Sequence, residues 1–113
     1  MEREDYDARY DLDPRIEPGT YRRLTDLATQ SFTDHPIENL GRRRPSAGQL
    51  FAANVAADEE STVFCVWYAE LGFFPATHDV VVDALGITWV VRAIEHKLTN
   101  TRFHLTCVRI YNP

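Results

Sequence analysis

Ile87-Thr88-Trp89-Val90-Val91-Arg92-Ala93-Ile94-Glu95-His96, then Lys97-Leu98-Thr99-Asn100-Thr101, then Arg102-Phe103-His104-Leu105-Thr106-Cys107, is the stretch whose reading decides the fold. Apolar side chains take the odd positions Ile87, Trp89, Val91 and Ala93, and again Phe103, Leu105 and Cys107. Period-two spacing among β-branched and aromatic residues marks half-buried strands. The segment between them is polar at its centre and contains Asn100, which tolerates a left-handed backbone. A β-hairpin is predicted. Facing residues of an antiparallel pair share one side of the sheet, so if both odd sets enter one core the paired positions sum to an even number. A loop of three or five residues meets that condition, with Val91 opposite Cys107 and Ala93 opposite Leu105 as one register. Past Cys107 the apolar phase moves to Val108 and Ile110. Burial on both faces and a β-bulge each produce such a change, and both remain open.

Working outward, Thr62-Val63-Phe64-Cys65-Val66-Trp67-Tyr68-Ala69 is a continuous apolar run of strand length, as a strand buried on both faces would be. Glu70-Leu71-Gly72-Phe73-Phe74-Pro75 leaves it through a glycine and a proline, with Phe73 and Phe74 expected as a lid on the core. Asp79-Val80-Val81-Val82-Asp83 reads as a strand bounded by acids, and Ala84-Leu85-Gly86 as a tight turn into Ile87. The second half is thus a meander of four strands. Its expected core is Val63, Cys65, Trp67, Trp89, Val91, Ala93, Phe103, Leu105 and Cys107. The fold class is mainly β: a small antiparallel barrel or sandwich with a long loop, room for one short helix in that loop, and an extended N-terminal arm.

The first half is less regular. Residues 1–18 hold seven acidic residues against three arginines, with Tyr6, Tyr10, Leu12 and Ile16 as the large apolar groups. A segment this polar cannot offset its own ordering entropy. It is either a tail or an arm that orders when Tyr6, Tyr10 and Leu12 dock on a neighbouring subunit. Residues 19–113 form the single domain. Pro18-Gly19 is a turn signal, Thr20-Tyr21-Arg22-Arg23-Leu24 a first strand and Ser31-Phe32-Thr33 a brief second one. Residues 35–61 are read as one long excursion from the sheet. Within it, Ser46-Ala47-Gly48-Gln49 has capping-box spacing, so a helix there should end before Asp58.

Composition narrows the function. The chain has 113 residues, enough for one core, and at this size folding buries roughly 60–70% of the unfolded surface. A net charge of −5 and a pI near 5.3 argue against a protein that wraps nucleic acid. No run of eighteen apolar residues is present and the start, Met1-Glu2-Arg3-Glu4-Asp5, is acidic where a secretion signal is basic, so a soluble chain with no membrane partner is expected. Cys65 and Cys107 lie inside apolar runs, as buried free thiols do, with a disulfide as the lesser option. The concentrated positive charge is Gly41-Arg42-Arg43-Arg44-Pro45. It lacks the pattern of a phosphate loop and is either a solvated stretch neutralising nearby acids or a contact with DNA phosphates or an acidic subunit. His35, His78, His96 and His104 do not share a ligand spacing, and neither a paired-carboxylate site nor a nucleophile elbow is visible. No enzyme activity, metal or cofactor is expected.

Residues 76–111 resemble the C-terminal half of the head-completion proteins of tailed bacteriophages, also called head-closure, stopper or head-tail joining proteins. The likeness rests on Asp79-Val80-Val81-Val82-Asp83, Gly86-Ile87-Thr88-Trp89-Val90-Val91, Ala93-Ile94-Glu95 and Arg102-Phe103-His104-Leu105-Thr106-Cys107-Val108-Arg109, with a weaker echo in Thr20-Tyr21-Arg22-Arg23. It covers about a third of the chain. It implies a β-barrel subunit of a sixfold or twelvefold ring in the virion neck, assembled from the host cytoplasm. The implied partners are copies of itself, portal and adaptor proteins, a tail terminator or tail tube protein, and DNA in the channel. The alternatives are a monomeric barrel that binds peptide or nucleic acid through Arg22, Arg23 and Arg42 to Arg44, and a tail terminator.

Overall fold

Alternation becomes pairing in the computed structural model, which describes residues 16–111. The elements run β1 (Ile16–Asp26), β2 (Ser31–Arg43), α1 (Ala47–Ala52), β3 (Ser61–Trp67), α2 (Tyr68–Leu71), β4 (Val80–Val82), β5 (Thr88–Lys97) and β6 (Arg102–Arg109). All neighbouring strands are antiparallel and close a six-stranded barrel in the order β1-β2-β3-β6-β5-β4. Closure removes the free sheet edges that an open sheet of this size would expose. β4, β5 and β6 form a meander, but β3 pairs with β6 rather than β4. The expected four-stranded meander is corrected accordingly: residues 68–79 carry the chain across one end of the barrel.

The β5–β6 hairpin keeps the Val91–Cys107 pair and then changes register, with Ala93 opposite Thr106, Ile94 opposite Leu105 and Lys97 opposite Arg102. The loop therefore has four residues, 98–101, not three or five. A bulge at Arg92 supplies the missing residue and reverses the parity of all that follows, so Ile94 rather than Ala93 packs against the core. Ala93 is only half-buried. Leu98, Thr99 and Asn100 all adopt positive φ in the loop (50°, 54° and 66°). The phase change past Cys107 has the other cause. β6 is buried on both faces from Arg102 to Val108.

Trp89 (1% exposed), Leu105 and Cys107 (both 0%) share one core with Tyr21, Ile37, Leu40, Phe64, Val66, Val81, Val91 and Phe103. Val63 and Cys65 are also buried, on the opposite side of β3 from Phe64 and Val66. Trp67 is not core: it is 42% exposed. The apolar run that contains it outlasts its strand, because β3 ends at Trp67 and α2 turns the chain away over Tyr68–Leu71. Both thiols are free and buried.

β2 is the largest departure from expectation. It runs unbroken through Asp34, His35 and Pro36 to Arg43, so the excursion shrinks to residues 44–60. β2 meets β3 only at residues 41–43, whereas its pairing with β1 extends from Gly41 back to Ser31. Most of the β1–β2 ribbon therefore stands clear of the β3 side, where Pro36 removes no ladder bond of a central strand. The short helix α1 has its capping box, with Ser46 Oγ accepting from the Gln49 amide at 3.1 Å and Gln49 Oε1 accepting from the Ser46 amide at 2.8 Å. It ends at Ala52, ahead of Asp58. Residues 1–15, which carry Tyr6, Tyr10 and Leu12, lie outside the described residues, and β1 begins inside the stretch read as arm.

Candidate interaction surfaces

Arg42, Arg43 and Arg44 sit on consecutive positions at the end of β2, and a period of two cannot turn all three the same way. Arg42 points into the mouth of the barrel. Its guanidinium lies 5.0 Å from the Trp89 ring centre and 5.2 Å from that of Phe64, donates to Thr62 Oγ1 at 3.3 Å, and meets Asp83 at 3.2 Å and Glu17 at 3.7 Å. Asp83 is held further by the Leu85 and Ile87 amides, both at 2.9 Å, and by Trp89 Nε1 at 3.1 Å. Burial pushes its pKa up, but the Ile87 amide, the Trp89 indole, the Leu85 amide and Arg42 together outweigh that and leave it below the usual carboxylate range. Arg42 is therefore committed to the fold. Arg43 is half-buried on the other face of β2 and Arg44 is exposed, so the three do not make a common contact patch.

At the other end of β4, Asp79 performs the matching task. Its carboxylate accepts from the Tyr21 hydroxyl, from the Leu24 amide at 2.9 Å and from the Ala76 amide at 3.1 Å, fastening β1 to the chain that enters β4. Burial and the neighbouring carboxylate push the Tyr21 hydroxyl pKa far up. The Asp-led and Asp-closed run 79–83 thus works as two anchors around a three-residue strand. Sequence reading registered the acids only as boundaries.

Residues 44–60 are strapped to the barrel wall. Gln49 donates to Glu95 at 2.9 Å, Arg92 forms a two-pronged pair with Glu59 and donates to the Asn54 carbonyl, and Glu60 accepts from Arg109 and Tyr111. The bulge that puts Arg92 out of register also hands it to this strap. Phe51 is left 88% exposed on the strap's outer side.

Other apolar groups stand at the barrel's connections. Leu85, in the β4–β5 turn, is 83% exposed, and Leu27, in the β1–β2 turn, is 66% exposed. Tyr68 and Phe74, each about half-exposed, pack on each other and on Phe103 near the β5–β6 loop, while the half-exposed Trp67 has the Arg102 guanidinium 5.5 Å from its ring. Phe73 does cap the core, against Tyr21, while Phe74 faces outward. A cleft of about 300 Å³ opens on the outer wall, floored by Val80, Val90 and Thr88 and walled by Leu24, Phe32 and Ile110. Its ionisable liners are Arg22 and His78.

The histidines are spread over the molecule. His35 stacks on Phe73, His78 lines the cleft, His96 packs on Phe103 and touches Asn100, and His104 is buried in β6. Burial, then the nearby Arg102, Arg43 and Lys97, lower the pKa of His104 to about 4 against the opposing pull of Glu95. Among the described residues no group of three or more His, Cys, Asp or Glu converges as metal ligands, and no helix is long and apolar enough to cross a membrane. Comparison of the chain with family models, with curated proteins and with solved structures returned no match.

Proposed function

We propose that this chain is a structural, non-catalytic subunit of a ring in the neck of a tailed phage particle, placed between the portal–adaptor assembly and the tail around the DNA channel. The observation that carries the reading is the placement of the segments that resemble head-completion proteins on adjacent strands of a closed barrel. Apolar side chains are also exposed at several connections, at Leu27, Phe51, Leu85 and the pair Tyr68 and Phe74. A ring subunit touches two neighbours through different faces and meets further partners above and below. The barrel body is closed, so joining falls to side chains on its connections and to the β2 edge over residues 31–40, which no strand covers. The segments that resemble head-completion proteins, residues 79–83, 86–95 and 102–109, fall on three adjacent strands of this barrel, which supports the likeness.

DNA contact is the part of this reading that loses support from Arg42, whose charge is spent on Asp83 and Glu17. A chain of net charge −5 suits a channel through which DNA slides. A second reading draws on the exposed rings of Trp67, Tyr68 and Phe74, on which bases could stack in a monomeric module. One experiment separates them. The purified full chain is weighed in solution alone, with portal–adaptor complex and with oligonucleotide. Ring-sized addition to the portal–adaptor complex is expected; a persistent monomer that binds oligonucleotide with a steep salt dependence would replace the connector by the module.

A further inference from the structure

The uncovered edge of β2 offers fewer hydrogen bonds than its length suggests. Successive residues of a strand turn their backbone groups to opposite edges. The Leu24 amide reaches Asp79 on the β4 side of β1, so Arg23, Tyr21 and Gly19 turn towards β2, where they meet Thr33, His35 and Ile37. Phe32, Asp34, Pro36 and Glu38 therefore direct their backbone groups away from β1, along the edge that no strand covers. Pro36 has no N–H to offer there. At the next step the register slips: Gly19 faces Ile37 and Glu17 faces Leu40, so Glu38 and Asn39 together oppose Pro18 in a bulge. One side chain takes both of their amides. Glu70 Oε2 accepts from the Glu38 amide at 2.6 Å, and both carboxylate oxygens lie 3.4 Å from the Asn39 amide. The helix α2 presents that carboxylate firmly, because Leu71 beside it is buried in the core and Gly72, at φ 86°, closes the turn with its amide on the Tyr68 carbonyl at 2.7 Å.

We infer that Glu70 is a built-in plug of the β2 edge: by holding the Glu38 and Asn39 amides it keeps a free copy from pairing its β2 with the β2 of a second copy. The excluded partner is another copy because two identical edges meet antiparallel about a two-fold axis, where each supplies the carbonyls that the amides of the other need. With Glu70 in place and Pro36 lacking a donor, Phe32 and Asp34 hold the outward amides that are left between Phe32 and Asn39, too few for a ladder. Charge works in the same direction. Asp34 and Glu38 are exposed along this edge beside Glu70, and two such edges would bring carboxylates together. The plug is a contact within one chain and acts whether or not the chain joins a ring. A neighbour that uses this edge beyond Asp34 has first to lift Glu70 away.

The test compares the full chain with Glu70→Ala, Glu70→Gln and the double variant Pro36→Thr with Glu70→Ala, by sedimentation over a range of concentrations and by amide hydrogen exchange at the two ends of that range. The alanine variant frees both amides, and the double variant also restores the missing donor. Both are expected to rise towards twice the monomer mass as concentration increases, the double variant at lower concentration. Amides 32–39 should exchange faster than in the unsubstituted chain when dilute and slower when concentrated. Glu70→Gln keeps an oxygen on the amides and should match the unsubstituted chain. Variants that hold its mass throughout, association that leaves amides 32–39 unprotected, or a glutamine variant that associates like alanine would each overturn the plug. If the double variant does not fold, Glu70→Ala alone decides by the same readings.

Discussion

Two carboxylates hold the barrel's shortest strand, and they do so by different chemistry. Asp79 accepts from one hydroxyl and two amides. Removing it takes the acceptor from one buried hydroxyl and two part-buried amides, so Asp79→Ala should cost about 2–4 kcal/mol in urea unfolding, while Tyr21→Phe, which removes only one donor, should cost about 1 kcal/mol. Asp83 is held below its ordinary pKa, so it stabilises the fold above the unfolded value of about 3.9 and that contribution disappears as pH falls through the lower folded value. Asp83→Asn should therefore flatten the acid limb of stability below about pH 4. His104 acts in a higher window. Its folded pKa of about 4 lies under the ordinary histidine value of 6.5, so the unfolded chain binds the proton more readily between them. Stability is full above about pH 6.5 and declines towards pH 4, and His104→Gln should reduce that slope in denaturant midpoints measured across the range. None of these three roles was legible beforehand: a residue type and its neighbours in sequence do not say which backbone amides a side chain will reach.

Whole strands were easier to read than single side chains, and the exceptions have physical causes. β5 and β6 are legible because most of their length packs against one core and the pleat then imposes alternation. The bulge at Arg92 was not, since Arg92 and Ala93 are both acceptable on either face and only the partner strand decides which is skipped. Residues 35–43 of β2 read as loop, although residues 31–33 read as strand, because much of β2 belongs to a ribbon with a partner on one side only. Ile37 and Leu40 are its fully buried large residues, too few to show a period. Two glycines, Gly19 in β1 and Gly48 in α1, give a test of opposite signs. A Cβ on Gly19 would lie 2.7 Å from Leu40 Cδ2 and 2.8 Å from the Val82 carbonyl, so Gly19→Ala should destabilise by about 1–3 kcal/mol. Gly48, inside α1, would meet only Ser46 Oγ at 4.0 Å, so Gly48→Ala should raise stability by about 0.5–1 kcal/mol. Thermal or urea unfolding of the two variants side by side checks both.

Across the molecule, the barrel serves as a rigid frame and the connections carry what is left over for partners. The long excursion is largely tied down by Gln49, Glu59 and Glu60, which leaves Phe51 as its outward feature. The cleft escaped sequence reading because its walls come from the β1–β2 ribbon and its floor from β4 and β5, segments more than forty residues apart in the chain. The arginine run showed the reverse. Its charge was conspicuous in sequence, yet Arg42 is turned inward to close the barrel mouth. Arg42→Ala should accordingly lower stability, by about 3 kcal/mol as an order of magnitude for leaving a buried carboxylate without its partner, while Arg44→Ala should leave unfolding unchanged. The connector reading itself concerns stoichiometry. Counting copies of the chain per purified particle, by quantitative mass spectrometry against the portal protein, tests it most directly. A fixed ring number, about six or twelve copies, is expected; absence of the chain from particles, or a copy number that varies from one preparation to the next, would contradict it.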